Sequence, residues 1–169
     1  SINRLLEINK KFSSVPRWIV GIGTSTGGPR ALSEVITKIP GSVPAAFLVV
    51  QHMPPGFTKS LAERLDKLSE LNVKEAEDKE QLKSGYVNIA PGDFHLEIEQ
   101  RLAKELPKIK LSQKELVSGH RPSVDVLFKS IADISNYNLL AAILTGMGSD
   151  GNLGIKKMKQ RGAITLAES

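Results

Sequence analysis

The stretch Trp18-Ile19-Val20-Gly21-Ile22-Gly23-Thr24-Ser25-Thr26-Gly27-Gly28-Pro29 decides the fold. Trp18–Ile22 is a short apolar run of buried-strand type. The glycines and hydroxyl residues after it predict a tight loop. Pro29 suits the first turn of a helix, where its missing N–H has no helical partner to lose. Strand, tight loop and helix in that order is the unit from which parallel sheets are built. The unit recurs. Ala45–Gln51 is apolar up to its last residue and reads as a strand covered on both faces. His52–Gly56 is its loop, and Phe57–Ser69 its helix, with Leu61, Leu65 and Leu68 at helical period. Leu139–Thr145, Gly146–Asp150 and Asn152–Arg161 repeat the pattern, and Ala163–Ala167 predicts a last strand.

Between these units, Leu71–Ala76 predicts a half-exposed strand, and Pro122 opens a helix through about Ile134. Tyr86–Ala90 and Phe94–Glu99 flank Pro91-Gly92-Asp93 and predict an antiparallel hairpin with a three-residue turn, with Lys108–Leu111 as an added edge strand. The expected fold is therefore α/β: a doubly wound, mostly parallel sheet with helices on both faces, plus an antiparallel hairpin insertion. Ile2, Leu5, Leu6, Ile8 and Phe12 have near-helical spacing before Ser13-Ser14-Val15-Pro16 breaks the pattern, so residues 1–16 read as a linker and 17–169 as one domain.

Composition excludes several classes. With 40% hydrophobic and 24% charged residues, wholesale disorder is excluded. The absence of cysteine excludes a disulfide scaffold, a thiol nucleophile and any cysteine-ligated metal. The longest apolar runs, Ala45–Val50 and Leu139–Leu144, fall far short of the ~20 residues that span a bilayer. No signal-peptide pattern opens the chain, so a cytoplasmic protein without membrane insertion is expected. The net charge of +5 is modest. Its basic clusters at 101–121 and 155–161 contain no aromatic residue, which argues for solvated faces and against nucleic-acid binding.

In open parallel sheets, ligands bind outside the carboxyl ends of the strands. Gly23–Gly28, His52–Gly56 and Gly146–Gly151 leave such ends, and they carry Ser25, His52 and Asp150: a nucleophile, a base and an orienting acid. Gly23-Thr24-Ser25-Thr26-Gly27 fits G-x-S-x-G, a spacing that exposes a serine on a sharp strand-to-helix turn. The plainer reading is that Ser25 only caps the following helix, and Asp150 equally suits the cap of the Asn152 helix. His95 and His120 are alternative bases. The polar loop before Pro122 adds His120 and Arg121 as candidates for positioning substrate. Gly21, Gly23 and Gly27 also suggest a distorted dinucleotide fingerprint, but the spacing would need glycine at Thr26, and the second strand ends in Gln51-His52 where an acid should hold the ribose. A non-catalytic phosphate- or nucleotide-binding module is the alternative. No H-E-x-x-H or calcium-loop comb points to metal.

Five motifs occur in one order: Gly23-Thr-Ser25-Thr-Gly-Gly28, Gln51-His52-Met-Pro-Pro-Gly-Phe57, Ile89-Ala-Pro-Gly-Asp93-x-His95, His120-Arg-Pro-Ser-Val-Asp125 and Leu144-Thr-Gly-Met-Gly-Ser-Asp150-Gly. From Trp18 to Ala167 the chain resembles the catalytic domain of the chemotaxis receptor methylesterases, the CheB family. The resemblance implies hydrolysis of glutamate methyl esters on chemoreceptors, with deamidation of receptor glutamines, and no cofactor. It places the nucleophile at Ser25, the base at His52, the triad acid at Asp150 and backbone oxyanion donors at Thr26 and Met147. The implied partners are the cytoplasmic domain of a methyl-accepting chemoreceptor and a phosphorylatable receiver domain that normally precedes this one in the same chain. Family members also continue past the position of Ser169, so a missing C-terminal segment is expected. The order serine, histidine, aspartate differs from the common α/β-hydrolases, in which the histidine comes last.

Overall fold

The computed structural model describes residues 2–4, 14–144 and 148–167. Most of the expected linker, together with Met147, lies outside them. The order is β1 (Trp18–Thr24), α1 (Gly28–Ile36), β2 (Ala45–Gln51), α2 (Phe57–Leu68), β3 (Asn72–Glu75), β4 (Tyr86–Ile89), β5 (His95–Glu99), β6 (Lys108–Ser112), α3 (Val124–Ala132), β7 (Asn138–Ile143), α4 (Asn152–Gln160) and β8 (Ile164–Ala167). Six strands form one parallel sheet in the order β3-β4-β2-β1-β7-β8.

Alternate residues of the central strands feed two cores, as the two-residue period of a strand requires. Ala45, Phe47 and Val49 pack with Leu32 and Ile36 of α1 and Leu61 and Leu65 of α2. Ala46, Leu48 and Val50 pack on the other face with Leu127, Phe128 and Ile131 of α3. The sheet is thus covered on both sides, as its unbroken apolar strands predicted. Toward β8, among the described residues, the α1 side holds an open apolar trough of about 700 Å³ lined by Trp18, Val35, Phe47, Leu140, Ala142 and Leu166.

Gly21 and Gly23 owe their presence to helix α3. A Cβ on Gly21 would stand 2.7 Å from Ile131 Cδ1, and one on Gly23 would stand 2.6 Å from Val124 Cγ1. The glycine pattern that suggested a dinucleotide fingerprint therefore lets a helix lie directly on β1.

The predicted hairpin is present, but between other strands. Tyr86–Ile89 does not pair with the strand after it. It joins the main sheet, parallel to β2 and β3. The antiparallel pair is β5 with β6, in which Glu97 faces Lys110 and Glu99 faces Lys108. Opposite charges directly across two strands favour that register. The turn at 91–93 is an exit from the main sheet, with Asp93 at φ 72°.

Candidate active site

Strand order reverses at β1: the chain passes to β2, on to the edge strand β3 and back to β4 between them, then crosses to β7 on the other flank. Such a switch point opens a crevice at the carboxyl ends of the strands. Three loops meet there. Thr24 and Gln51 are register partners, so Ser25 and His52 leave neighbouring strands at the same level, with the strands about 4.8 Å apart. The ladder continues one step further through His52 N–H to the Thr24 carbonyl at 3.1 Å. On the other flank, Leu144 N–H donates to the Gly23 carbonyl at 3.0 Å and starts the loop that carries Asp150.

Two donors fix the Ser25 loop from beneath. Gln51 Nε2 donates to the Ser25 carbonyl at 2.9 Å and Gly28 N–H donates to it at 2.8 Å. Because a trans peptide directs its C=O and N–H to opposite sides, this turns the Thr26 N–H away from these two donors. The left-handed conformation at the turn is taken by Gly27, φ 75°.

His52 and Asp150 come together: Nε2 and Oδ2 are 2.8 Å apart, with side chains only 9% and 0% exposed. Asp150 is held by more than histidine. Its Oδ1 accepts from the Ser123 hydroxyl at 2.8 Å and the Asp125 N–H at 3.0 Å, and its Oδ2 also accepts the Val124 N–H at 2.7 Å. Burial pushes the Asp150 carboxyl up, but these hydrogen bonds, that of His52 foremost, outweigh it and hold the group below its ordinary value. An ionised carboxylate only accepts, so His52 Nε2 carries the proton and Nδ1 keeps the lone pair. Among the described residues His52 bonds to Asp150 and not to Ser25. Nucleophile–base contacts are often looser before substrate arrives.

The expectation that Asp150 caps its own helix is corrected. Helix α4 has Gly151 at its N-cap, with no side-chain cap bond. The carboxylate instead occupies the N-terminus of α3, where backbone N–H groups and the helix dipole favour an anion. Asp125 of α3 returns the arrangement, its Oδ1 accepting the Gly154 N–H of α4 at 2.7 Å.

The remaining candidates are also placed. His120 stacks on His52, with ring centroids 3.8 Å apart and planes 5° from parallel. Arg121 directs its guanidinium at Asp93 Oδ1 (2.6 Å from Nη2) and at the carbonyls of Gln113 and Lys114. His95 is buried: its Nε2 donates to the Glu115 carbonyl at 2.8 Å and its Nδ1 accepts the Ser123 N–H. Gln51 and Ser123 were not singled out from the sequence. Ser123 had a local signal, because it stands at the N-cap before an apolar helical run, where its oxygen accepts from Val126 N–H. Gln51 had none beyond being a polar residue at the end of an apolar strand.

Fold and site together define a doubly wound parallel α/β domain with a buried histidine–carboxylate pair at its switch point. A family model described as CheB methylesterase matches residues 20–169. The chain belongs to the CheB methylesterase family. A protein-glutamate methylesterase/protein-glutamine glutaminase of Halalkalibacterium halodurans is 52% identical over 151 residues, covering 89% of this chain and 43% of that protein. One of the same name from Archaeoglobus fulgidus is 50% identical, covering 88% and 42%. The chain thus spans less than half the length of these curated relatives. The crystal structure of the Thermotoga maritima CheB methylesterase catalytic domain superimposes with a TM-score of 0.82 at 50% identity, covering 87% of this chain and 77% of that one. Among the described residues, no helix is long and apolar enough to cross a membrane.

Proposed function

We propose that this chain is a serine hydrolase that demethylates glutamate methyl esters on chemoreceptors, and deamidates receptor glutamines, in bacterial chemotaxis. The 2.8 Å contact between His52 Nε2 and Asp150 Oδ2, at the strand ends beside Ser25, carries this reading. It accords with the names of the relatives, protein-glutamate methylesterase/protein-glutamine glutaminase.

In this mechanism Ser25 Oγ attacks the γ-carbonyl carbon while His52 Nδ1 takes its proton. The tetrahedral oxyanion is held by the N–H groups of Thr26 and Met147. One such donor is worth ~2.7–4 kcal/mol in other enzymes. Imidazolium His52 then returns the proton to the departing methoxide, and methanol leaves; with a glutamine, ammonia leaves. Water gives a proton to the same nitrogen as it attacks the acyl-enzyme, and collapse releases glutamate and restores Ser25. Asp150 keeps His52 in the required tautomer and offsets the positive charge that develops on it. No cofactor enters any step.

Residues 17–169 carry the activity and 1–16 serve as a linker. The substrate is the cytoplasmic domain of a methyl-accepting receptor, and a receiver domain preceding the linker covers the catalytic face until it is phosphorylated. The enzyme works in the cytoplasm, without inserting in a membrane or binding nucleic acid. The test is incubation of the purified chain with receptor carrying isotope-labelled methyl esters. Labelled methanol is expected from the wild type and not from Ser25→Ala. Release by folded Ser25→Ala at close to the wild-type rate contradicts the reading.

A further inference from the structure

We propose that His120 is a positioning residue for His52: its ring is the plate that holds the base in plane, and it is not a contact for the substrate. This role rests on the serine-hydrolase reading above. A single hydrogen bond to Asp150 fixes one atom of the His52 ring and leaves the ring able to rock about the line of that bond. The parallel stack at 3.8 Å removes that freedom. Bond and stack together aim Nδ1 in one direction.

His120 is itself held. Val117 and His120 exchange backbone hydrogen bonds at 3.0 and 2.9 Å, closing the tip of their loop. The neighbouring Arg121 ties the loop to Asp93 through Nε and Nη2, at 3.0 and 2.6 Å, and to the carbonyls of Gln113 and Lys114. His95 anchors the same loop through the Glu115 carbonyl. With its backbone and its loop fastened at these points, the His120 ring has a fixed seat from which its face meets His52.

The charge requirement agrees. His52 must take a proton during each turnover, and two imidazolium rings stacked face to face repel. The plate therefore works only while neutral. Burial pushes His120 below the ordinary histidine value and His52 adds to this, with Asp150 opposing in part. The neighbouring Arg121 is paired with Asp93 at 2.6 Å, and Lys114 and Glu115 of the same loop are exposed to solvent.

The experiment compares wild type, His120→Ala and His120→Phe, measuring kcat and KM for methylated receptor and the rate at which a fluorophosphonate labels Ser25. His120→Ala should lower kcat and the labelling rate together by about tenfold or more, with KM unchanged within about twofold. His120→Phe, flat and uncharged, should restore both rates to within about threefold of wild type. A raised KM with kcat and labelling unchanged would make His120 a substrate contact and overturn the proposal. A Phe variant no better than Ala would overturn it too. The wild-type protein keeps His120, so whether its Ser25 is labelled at all tests the serine mechanism apart from the substitutions. Absence of that label would therefore identify failure of the serine mechanism itself, and the role of His120 would fall with it.

Discussion

Replacing Asp150 by asparagine separates the structural and chemical duties of one side chain. The residue is 1% exposed, and its carboxylate accepts from His52, Ser123, Val124 and Asp125. Asparagine presents one oxygen and one NH₂, and a fixed backbone N–H faces either position. An NH₂ at the Oδ2 place meets Val124 N–H at 2.7 Å and also forces His52 into the other tautomer. An NH₂ at the Oδ1 place meets Asp125 N–H at 3.0 Å and asks only that the Ser123 hydroxyl rotate. The second orientation is the less costly, and it still leaves one buried N–H without an acceptor, about 1–3 kcal/mol. At about 2–4 °C per kcal/mol for a domain of this size, melting should fall by about 2–12 °C. Catalysis should fall much further, because the carboxylate no longer faces the imidazolium. An ion pair about 4 Å apart at an effective dielectric constant near 20 is worth about 4 kcal/mol, or about 10³ in rate. Thermal melts and methanol release, measured on one preparation, read both quantities. A folded Asp150→Asn that keeps more than about a tenth of wild-type turnover, a barrier change below about 1.4 kcal/mol, would refute the reasoning. Asp150 would then be only an anchor for α3.

Three further outcomes are expected. The Asp150 carboxyl is held below its unfolded value of 3.8, so its stabilisation is present above that pH and is lost as pH falls through the lower folded value; the gap in melting temperature between wild type and Asp150→Asn should therefore close on acidification below about pH 4. Ser25→Ala, which removes one hydroxyl from a half-buried loop residue, should abolish turnover while shifting stability by no more than about 1 kcal/mol in chemical denaturation. Gly154→Ala would place a Cβ 2.7 Å from Phe128 Cβ and 3.1 Å from Asp125 Oδ1; it should cost about 1–3 kcal/mol in denaturant melts and, by shifting α3 under Asp150, lower kcat as well.

The strand-loop-helix units were legible because each is local. Apolar runs of strand length, glycine-rich loops and Pro29 lie next to one another in sequence, and the chemistry-bearing residues sit at fixed ends of those units. The pairing of the insertion was not so legible. Pro91-Gly92-Asp93 is a good turn, and the turn alone does not reveal that Tyr86–Ile89 belongs to the main sheet. The charges of Glu97 and Glu99 against Lys110 and Lys108 did hold that information, in residues further along the chain. The partners of Asp150 were hidden for a similar reason. Its donors Ser123, Val124 and Asp125 precede it by a whole helix and strand, so local capping rules pointed to the nearer, wrong helix. The His52–His120 stack depends on a loop anchored through Arg121 and Asp93, a contact that no spacing announces.

Mass spectrometry of the intact chain after reaction with a fluorophosphonate tests the nucleophile most directly. One adduct is predicted, on Ser25, formed in step with loss of methanol release and absent from Ser25→Ala. Full loss of activity with no adduct on Ser25, or an adduct elsewhere that tracks the loss, would contradict the assignment of this serine as the attacking group.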